Sequence, residues 1–342
     1  MDLSHFHLRN FFVELQALEV TTMGTYLEFK DFHSGKWHCG GDYPVVYLTH
    51  VYHWGTGFEA FVWMSNVNID YDGSPTAYGP PGKITDDFLV NAGPGAENGW
   101  FGVKSLKPKV AADLRNGPPK RIRPLVDDKN APMDRFGRYP VVQQEGEPNP
   151  GHYVSSTSVP ADTNFEEWDQ RRWVNSKTYP YGAISGKLRD NGGVTLNDFG
   201  LAIRLDRFDT HSGFCFKDSG GDKSWAVGEC SEKVFWDLGG VGRDNNFRNV
   251  FLVFPNSKRY DGNIQSGIGQ FLRMFSLADN RDDLPMLLAY CGMAGKGGSG
   301  YQLWMDYQKK TDVEKVKIPR PPAYLNIVNG LRAWGYTGYP GF

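Results

Sequence analysis

Gly213-Phe-Cys-Phe-Lys-Asp218-Ser-Gly-Gly-Asp222-Lys-Ser-Trp225-Ala-Val-Gly-Glu229-Cys230-Ser231 holds two short apolar runs joined by a polar, glycine-rich turn over Ser219 to Ser224. That pattern predicts a β-hairpin. If the arms pair Asp218 with Val227 and Phe216 with Glu229, the two acids project from one face as diagonal neighbours about 7–8 Å apart at the backbone. Such a gap suits two carboxyl groups with a water between them, as in inverting glycosidases, where the separation is roughly 6.5–9.5 Å. Asp222 in the turn is a rival to Asp218, and a plain solvated hairpin is the bland alternative. The same register sets Cys215 opposite Cys230, where a disulfide would pin the hairpin. The other reading is four reduced core cysteines, since Cys39, Cys215, Cys230 and Cys291 show no C-x-x-C spacing.

Working outward, strand signals recur at Thr21 to Met64, Phe199 to Leu205 and Val250 to Phe254. Asn66-Val-Asn68-Ile-Asp70-Tyr-Asp72 alternates strictly, so a strand there lines one face with Asn66, Asn68, Asp70 and Asp72. Asn68 to Gly73 also resembles the first half of a calcium loop, but Gly79 stands where the closing Glu belongs, so an EF-hand fails. Leu8, Phe11, Phe12, Leu15 and Leu18 predict a short amphipathic helix, and Ile264, Ile268, Phe271, Leu272 and Phe275 a longer one. Another helix is predicted from Tyr324 to Trp334. The fold expected is α+β and β-rich: a barrel-like antiparallel or mixed sheet core, of which a double-psi barrel is one form, with a helical C-terminal appendage. Its divisions are an N-terminal extension packed on the core (1–57), the core (58–257) and a partly helical region (258–342).

The chain has 342 residues, 41 of them Gly and 21 Pro, with 14% aromatic and 22% charged residues and a formal net charge of −2. This composition excludes collagen-like, disordered and coiled-coil classes, and the charge balance gives no reason to expect nucleic acid as a partner. No apolar run reaches the roughly 18 residues of a spanning helix, so membrane insertion is not expected. Asp2, Glu14 and Glu19 do not fit a signal peptide. Residues 104–123 carry seven Lys or Arg against one acid, the mark of an exposed basic loop. Gly295 to Gly300 matches G-x-G-x-x-G without a repeated βαβ context. Eight histidines, including His5, His7, His38, His50 and His53, form no zinc motif, and no G-x-S-x-G elbow occurs. No metal or cofactor is expected.

Several blocks together resemble the glycoside hydrolase family 75 chitosanase domain over about residues 60–257. They are Asn68-Ile-Asp70-Tyr-Asp72-Gly73-Ser-Pro-Thr-Ala-Tyr78-Gly, Phe88-Leu-Val-Asn-Ala-Gly93, Trp100-Phe-Gly, Gly151-His-Tyr153-Val-Ser155-Ser-Thr157-Ser158, Tyr179-Pro-Tyr181, Gly228-Glu229-Cys230-Ser231 and Val250 to Ser257, in the family's order. The resemblance implies inverting hydrolysis of β-1,4-linked amino-sugar polymers, chitosan or the peptidoglycan glycan strand, with an essential Asp and Glu matched by Asp218 and Glu229. The family's Gly before the Asp is Lys217 here. Glu229, beside Trp225 and Val227, is the expected general acid and Asp218 the base, with the two roles open to exchange. Asn68, Asp70, Asp72, Tyr153, Ser231, Trp225 and Asp222 are the expected substrate-binding residues, and Trp100 and Tyr181 further ring platforms. The expected setting is outside the cytoplasm without a visible signal peptide, as a secreted or injected wall-degrading effector with an immunity or secretion-machinery partner. The alternative is a non-catalytic glycan-binding or structural module of a secretion or virion apparatus.

Overall fold

A computed structural model describes residues 26–34, 45–53, 56–80, 82–87, 93, 96–107, 133–207, 210–219, 227–243, 247–259, 263–278, 280–293 and 299–337. The predicted helix at 8–18, the histidines at 5, 7 and 38, most of the basic stretch, the block at 88–92, Asp222 and Trp225 lie outside the described residues.

Strands β1 (Tyr26–Ser34), β2 (Val45–His53) and β3 (Thr56–Ser65) form an antiparallel meander. They continue into β11 (Asn249–Phe254), β8 (Phe199–Arg204), β9 (His211–Ser219), β7 (Tyr181–Ile184), β10 (Glu229–Ser231) and β4 (Asn68–Asp70). The nine strands run in the order β1-β2-β3-β11-β8-β9-β7-β10-β4, parallel at β9/β7 and β10/β4 and antiparallel elsewhere. Strands β5 (Ser105–Leu106) and β6 (Tyr139–Pro140) pair separately. The structure is thus α+β with a mixed sheet. Among the described residues that sheet is open, with β1 and β4 at its edges, and the expected barrel does not close.

Every residue of β8 and β11 is buried, because both faces are covered. On one face Phe199, Leu201, Ile203, Leu252 and Phe254 meet α3 (Ile264–Phe275), α4 (Asp283–Met293), α5 (Ser299–Gln308) and α7 (Tyr324–Ala333). The short α6 spans Asp312–Lys315. On the other face Trp63, Phe214, Phe216 and Phe251 pack with Leu188 of α1 (Gly186–Gly192) and Phe235 of α2 (Glu232–Asp237). Trp63 and Phe251 stack at 5.4 Å between ring centroids.

The helices after residue 257 therefore form half of the principal core with the sheet, and packing runs unbroken across that position. The glycine-rich segment near Gly295 follows α4 rather than a strand, so the dinucleotide-binding context is missing. A chain cut after Ser257 loses Phe271, Leu272, Leu287, Ile327 and Leu331 from the core. It is expected to lose cooperative thermal unfolding and to bind a hydrophobic dye; a sharp melt from the truncated chain would contradict this packing.

Candidate functional site: a buried cluster of carboxylates

β9 and β10 are not the two arms of a hairpin. β7 lies between them, pairing Ala183 with Asp218 on one side and Gly182 with Cys230 on the other. Tyr181, Gly182, Ala183 and Ile184 are all buried, as befits a central strand hydrogen-bonded on both edges. Local periodicity shows that two runs are strands and leaves open which third strand enters between them.

The register still gathers both acids on one face. Phe214 and Phe216 point into the layer of Phe251, so simple alternation would send Asp218 there too. A bulge intervenes: Gly182 pairs with Phe216, Ala183 with Asp218, and Lys217 has no partner in the ladder. The extra residue returns Asp218 to the Tyr181 and Ala183 side. Continuing the antiparallel register by one residue sets Glu229 level with Ala183. Glu229, Ala183 and Asp218 thus form a row across three strands. The outer two backbones stand roughly 10 Å apart, two strand spacings, with a methyl group between the acids.

The same topology separates the cysteines. Cys215 packs with the helices on one face and Cys230 with Phe235 on the other, and both are free thiols. The disulfide does not form, because β7 and the thickness of the sheet stand between them.

Asp70 and Asp72 arrive by a different route. β4 ends at Asp70, beside Ser231 in a parallel register, and the chain then turns. The Asp72 N–H donates to Asp70 Oδ1 at 2.9 Å, and Ser74 N–H to the Tyr71 carbonyl at 3.1 Å. A turn, not an extended strand face, joins the two carboxylates. Asn68 remains exposed at the rim, level with Glu229.

Protein donors hold each aspartate. Tyr78 Oη donates to Asp72 Oδ1 at 2.6 Å, and Tyr181 Oη to the Asp72 carbonyl at 2.6 Å. Asp218 Oδ1 accepts from Ser158 N–H (3.1 Å), Ser158 Oγ (2.7 Å) and Ser219 N–H (2.7 Å). Asp218 Oδ2 is buried without a hydrogen-bond partner. Gly102 sits against the Asp72 carboxylate with φ +73°, and a Cβ there would lie 2.3 Å from Oδ1.

One oxygen from each of Asp70, Asp72 and Asp218 lies within 4.8 Å of the others. Burial raises the Asp70 carboxyl well above its ordinary range, and Asp72, Asp218 and Glu229 push it further. Asp72 rises from burial and from Asp218, against the bond from Tyr78. Burial lifts Asp218 to about 6 although the bonds from Ser158 and Ser219 pull it down. Burial, then the Asp218 charge, lifts Glu229 to about 7. Among the described residues, the main charges acting on these four acids are one another's, with no lysine or arginine among them. Elsewhere cations are paired: Lys177 with Asp86 at 2.8 Å, Arg171 with Asp169 at 2.7 Å and Lys315 with Asp283 at 2.8 Å.

Other expected site residues serve the scaffold. Ser231 is fully buried; its Oγ accepts from Tyr181 N–H (3.0 Å), donates to the Tyr179 carbonyl (3.0 Å) and caps α2. Tyr153 is 1% exposed and meets Trp100 edge-on at 5.4 Å, so both rings fill core rather than stack on a ligand. Tyr78, Ser158, Gly102 and Ala183 complete the site. Sequence offers no periodic signal for them, since each acts through a contact distant along the chain.

Two outcomes test this arrangement. A carboxyl whose folded value is raised above its unfolded one favours the native state fully below about pH 4.5, and that advantage is lost as pH rises through 7. Glu229→Gln is therefore expected to raise thermal stability at pH 8 by up to about 3 kcal/mol and to change little at pH 4; an equal effect at both pH values would contradict the burial of that charge. Gly102→Ala forces a side chain into the Asp72 carboxylate at positive φ and is expected to destabilise by at least about 2 kcal/mol in denaturant unfolding. No protein-family model matches the chain, and no curated protein does.

Proposed function

We propose that the protein is a glycoside hydrolase that cuts β-1,4-linked amino-sugar polymers by inversion, with Glu229 as general acid and Asp218 as general base. The observation carrying this reading is the row Glu229, Ala183, Asp218, two acids on one face separated by two strand spacings and a small side chain. That spacing is compatible with the roughly 6.5–9.5 Å that lets a water enter between an inverting pair. Asp218 takes a proton from the water as its oxygen attacks the anomeric carbon, while Glu229 gives its proton to the departing glycosidic oxygen. Glu229, raised to about 7, keeps that proton near neutrality. Acids that have no cationic partner among the described residues also suit a substrate bearing free ammonium groups, which supports a de-N-acetylated glycan over a fully acetylated wall strand. On this reading the protein works outside the cytoplasm, and an immunity or secretion-machinery protein is its expected partner.

A non-catalytic glycan-binding module is the second reading. The depth of Asp70, Asp72 and Asp218, each at most 9% exposed, supports it.

Purified protein incubated separately with chitosan and peptidoglycan is expected to release new reducing ends, first as the α-anomer by proton NMR. Glu229→Gln is expected to lower the rate at least roughly 100-fold, the lower range for loss of a general acid. No release from either polymer, or equal rates from the variant and the wild type, would remove the enzyme reading.

A further inference from the structure

We infer that Asp70, Asp72 and Asp218 bind one divalent cation of the size of calcium. The run Asn68 to Gly73 has the spacing of the opening half of a calcium loop and lacks its closing Glu. The fold supplies a third carboxylate from elsewhere, because the bulge in β9 carries Asp218 to the turn after β4. In each aspartate Oδ1 is held by a protein donor: Asp72 N–H for Asp70, Tyr78 Oη for Asp72, and Ser158 with Ser219 for Asp218. Among the described residues no donor reaches the second oxygen of any of the three. This is the division of labour of a metal site, in which one oxygen is fixed by an outer donor and its partner is left for the ion.

The orphaned oxygen is an independent pointer. Asp218 is 6% exposed, and its Oδ2 is buried with nothing to accept from. A buried carboxylate oxygen without a donor is costly, and a cation satisfies it. Ligands at 2.3–2.6 Å from one calcium ion stand at most about 5 Å apart, which accommodates oxygens within 4.8 Å of one another. Magnesium demands near-octahedral geometry at about 2.0–2.1 Å and usually keeps several waters, which suits a cluster this deeply buried less well. A donor set of oxygen alone selects a hard cation over zinc or copper. The ion takes the carboxylate that the proposed base uses, so ion binding and glycan hydrolysis exclude one another. Binding itself does not rest on the hydrolase reading, and it is measured without turnover.

The test is calorimetric titration of the whole, chelator-treated chain with calcium chloride and, separately, magnesium chloride. One calcium ion per chain is expected, with affinity roughly 10-fold weaker or more in the double variant Asp70→Asn/Asp72→Asn. Circular dichroism checks that the double variant folds, and Asp218→Asn alone provides a second variant with the same expected loss. Three results would overturn the inference: no calcium binding by folded wild type up to about 10 mM, beyond the weakest range of protein sites; unchanged affinity in folded variants; or tighter binding of magnesium than of calcium.

Discussion

A single extra residue in β9 decides which face of the sheet receives Asp218, and with it whether the carboxylates meet. Strict alternation would carry Asp218 after Phe214 and Phe216 into an apolar layer against Trp63 and Phe251, where a carboxylate finds no donor. The unpaired Lys217 turns it to the opposite face, within reach of Ser158 and of the turn carrying Asp70 and Asp72. Lys217 itself is tied down, its Nζ bonded to Asn197 Oδ1 at 2.6 Å and its carbonyl accepting from Val159 N–H at 2.9 Å. Lys217 is therefore the bulge residue.

The treatment of charge differs sharply between this cluster and the rest of the molecule. Asp283 lies deep beside the α4–α5 region and has Lys315 at 2.8 Å, while Arg204 crosses from β8 to Asp206 at 2.6 Å. Those acids are neutralised in the ordinary structural way. The three aspartates around Tyr181 receive hydroxyl and amide donors, and among the described residues no cation pairs with them or with Glu229. Folding gains nothing from such an arrangement near neutral pH, and a cluster of buried acids with raised carboxyls is what makes this the candidate functional site.

Much of the framework was legible from local pattern. The stripe from Ile264 to Phe275, the helix beginning at Tyr324 and the strands at 199–204 and 249–254 each carry a period that survives in three dimensions. α4 gave no such stripe because from Leu284 to Tyr290 its side chains are apolar all round and buried between the sheet and other helices. The candidate acids stood out by type and by frame, yet their route to one another did not. It depends on β7, some 30 residues upstream, and on a bulge, and neither leaves a periodic trace. Asp70 and Asp72 likewise meet through a turn bonded side chain to backbone rather than through the period-two face of Asn66 to Asp72.

The position of β7 also bears on the order in which the molecule is assembled. β9 has a local partner in β8, but the row of acids forms only once β7, from an earlier segment, lies between β9 and β10. Ala183 must reach Asp218, Gly182 must reach Cys230, and Cys230 must then lie beside Ile69, all contacts between distant parts of the sequence. Contacts of that range form slowly, because the loops they close are long. The meander β1–β3 and the β8–β9 pair are local by comparison. The repulsive charges are consequently brought together only by the least local contacts, after the nearer strands have begun to supply the hydrophobic gain that holds them in place.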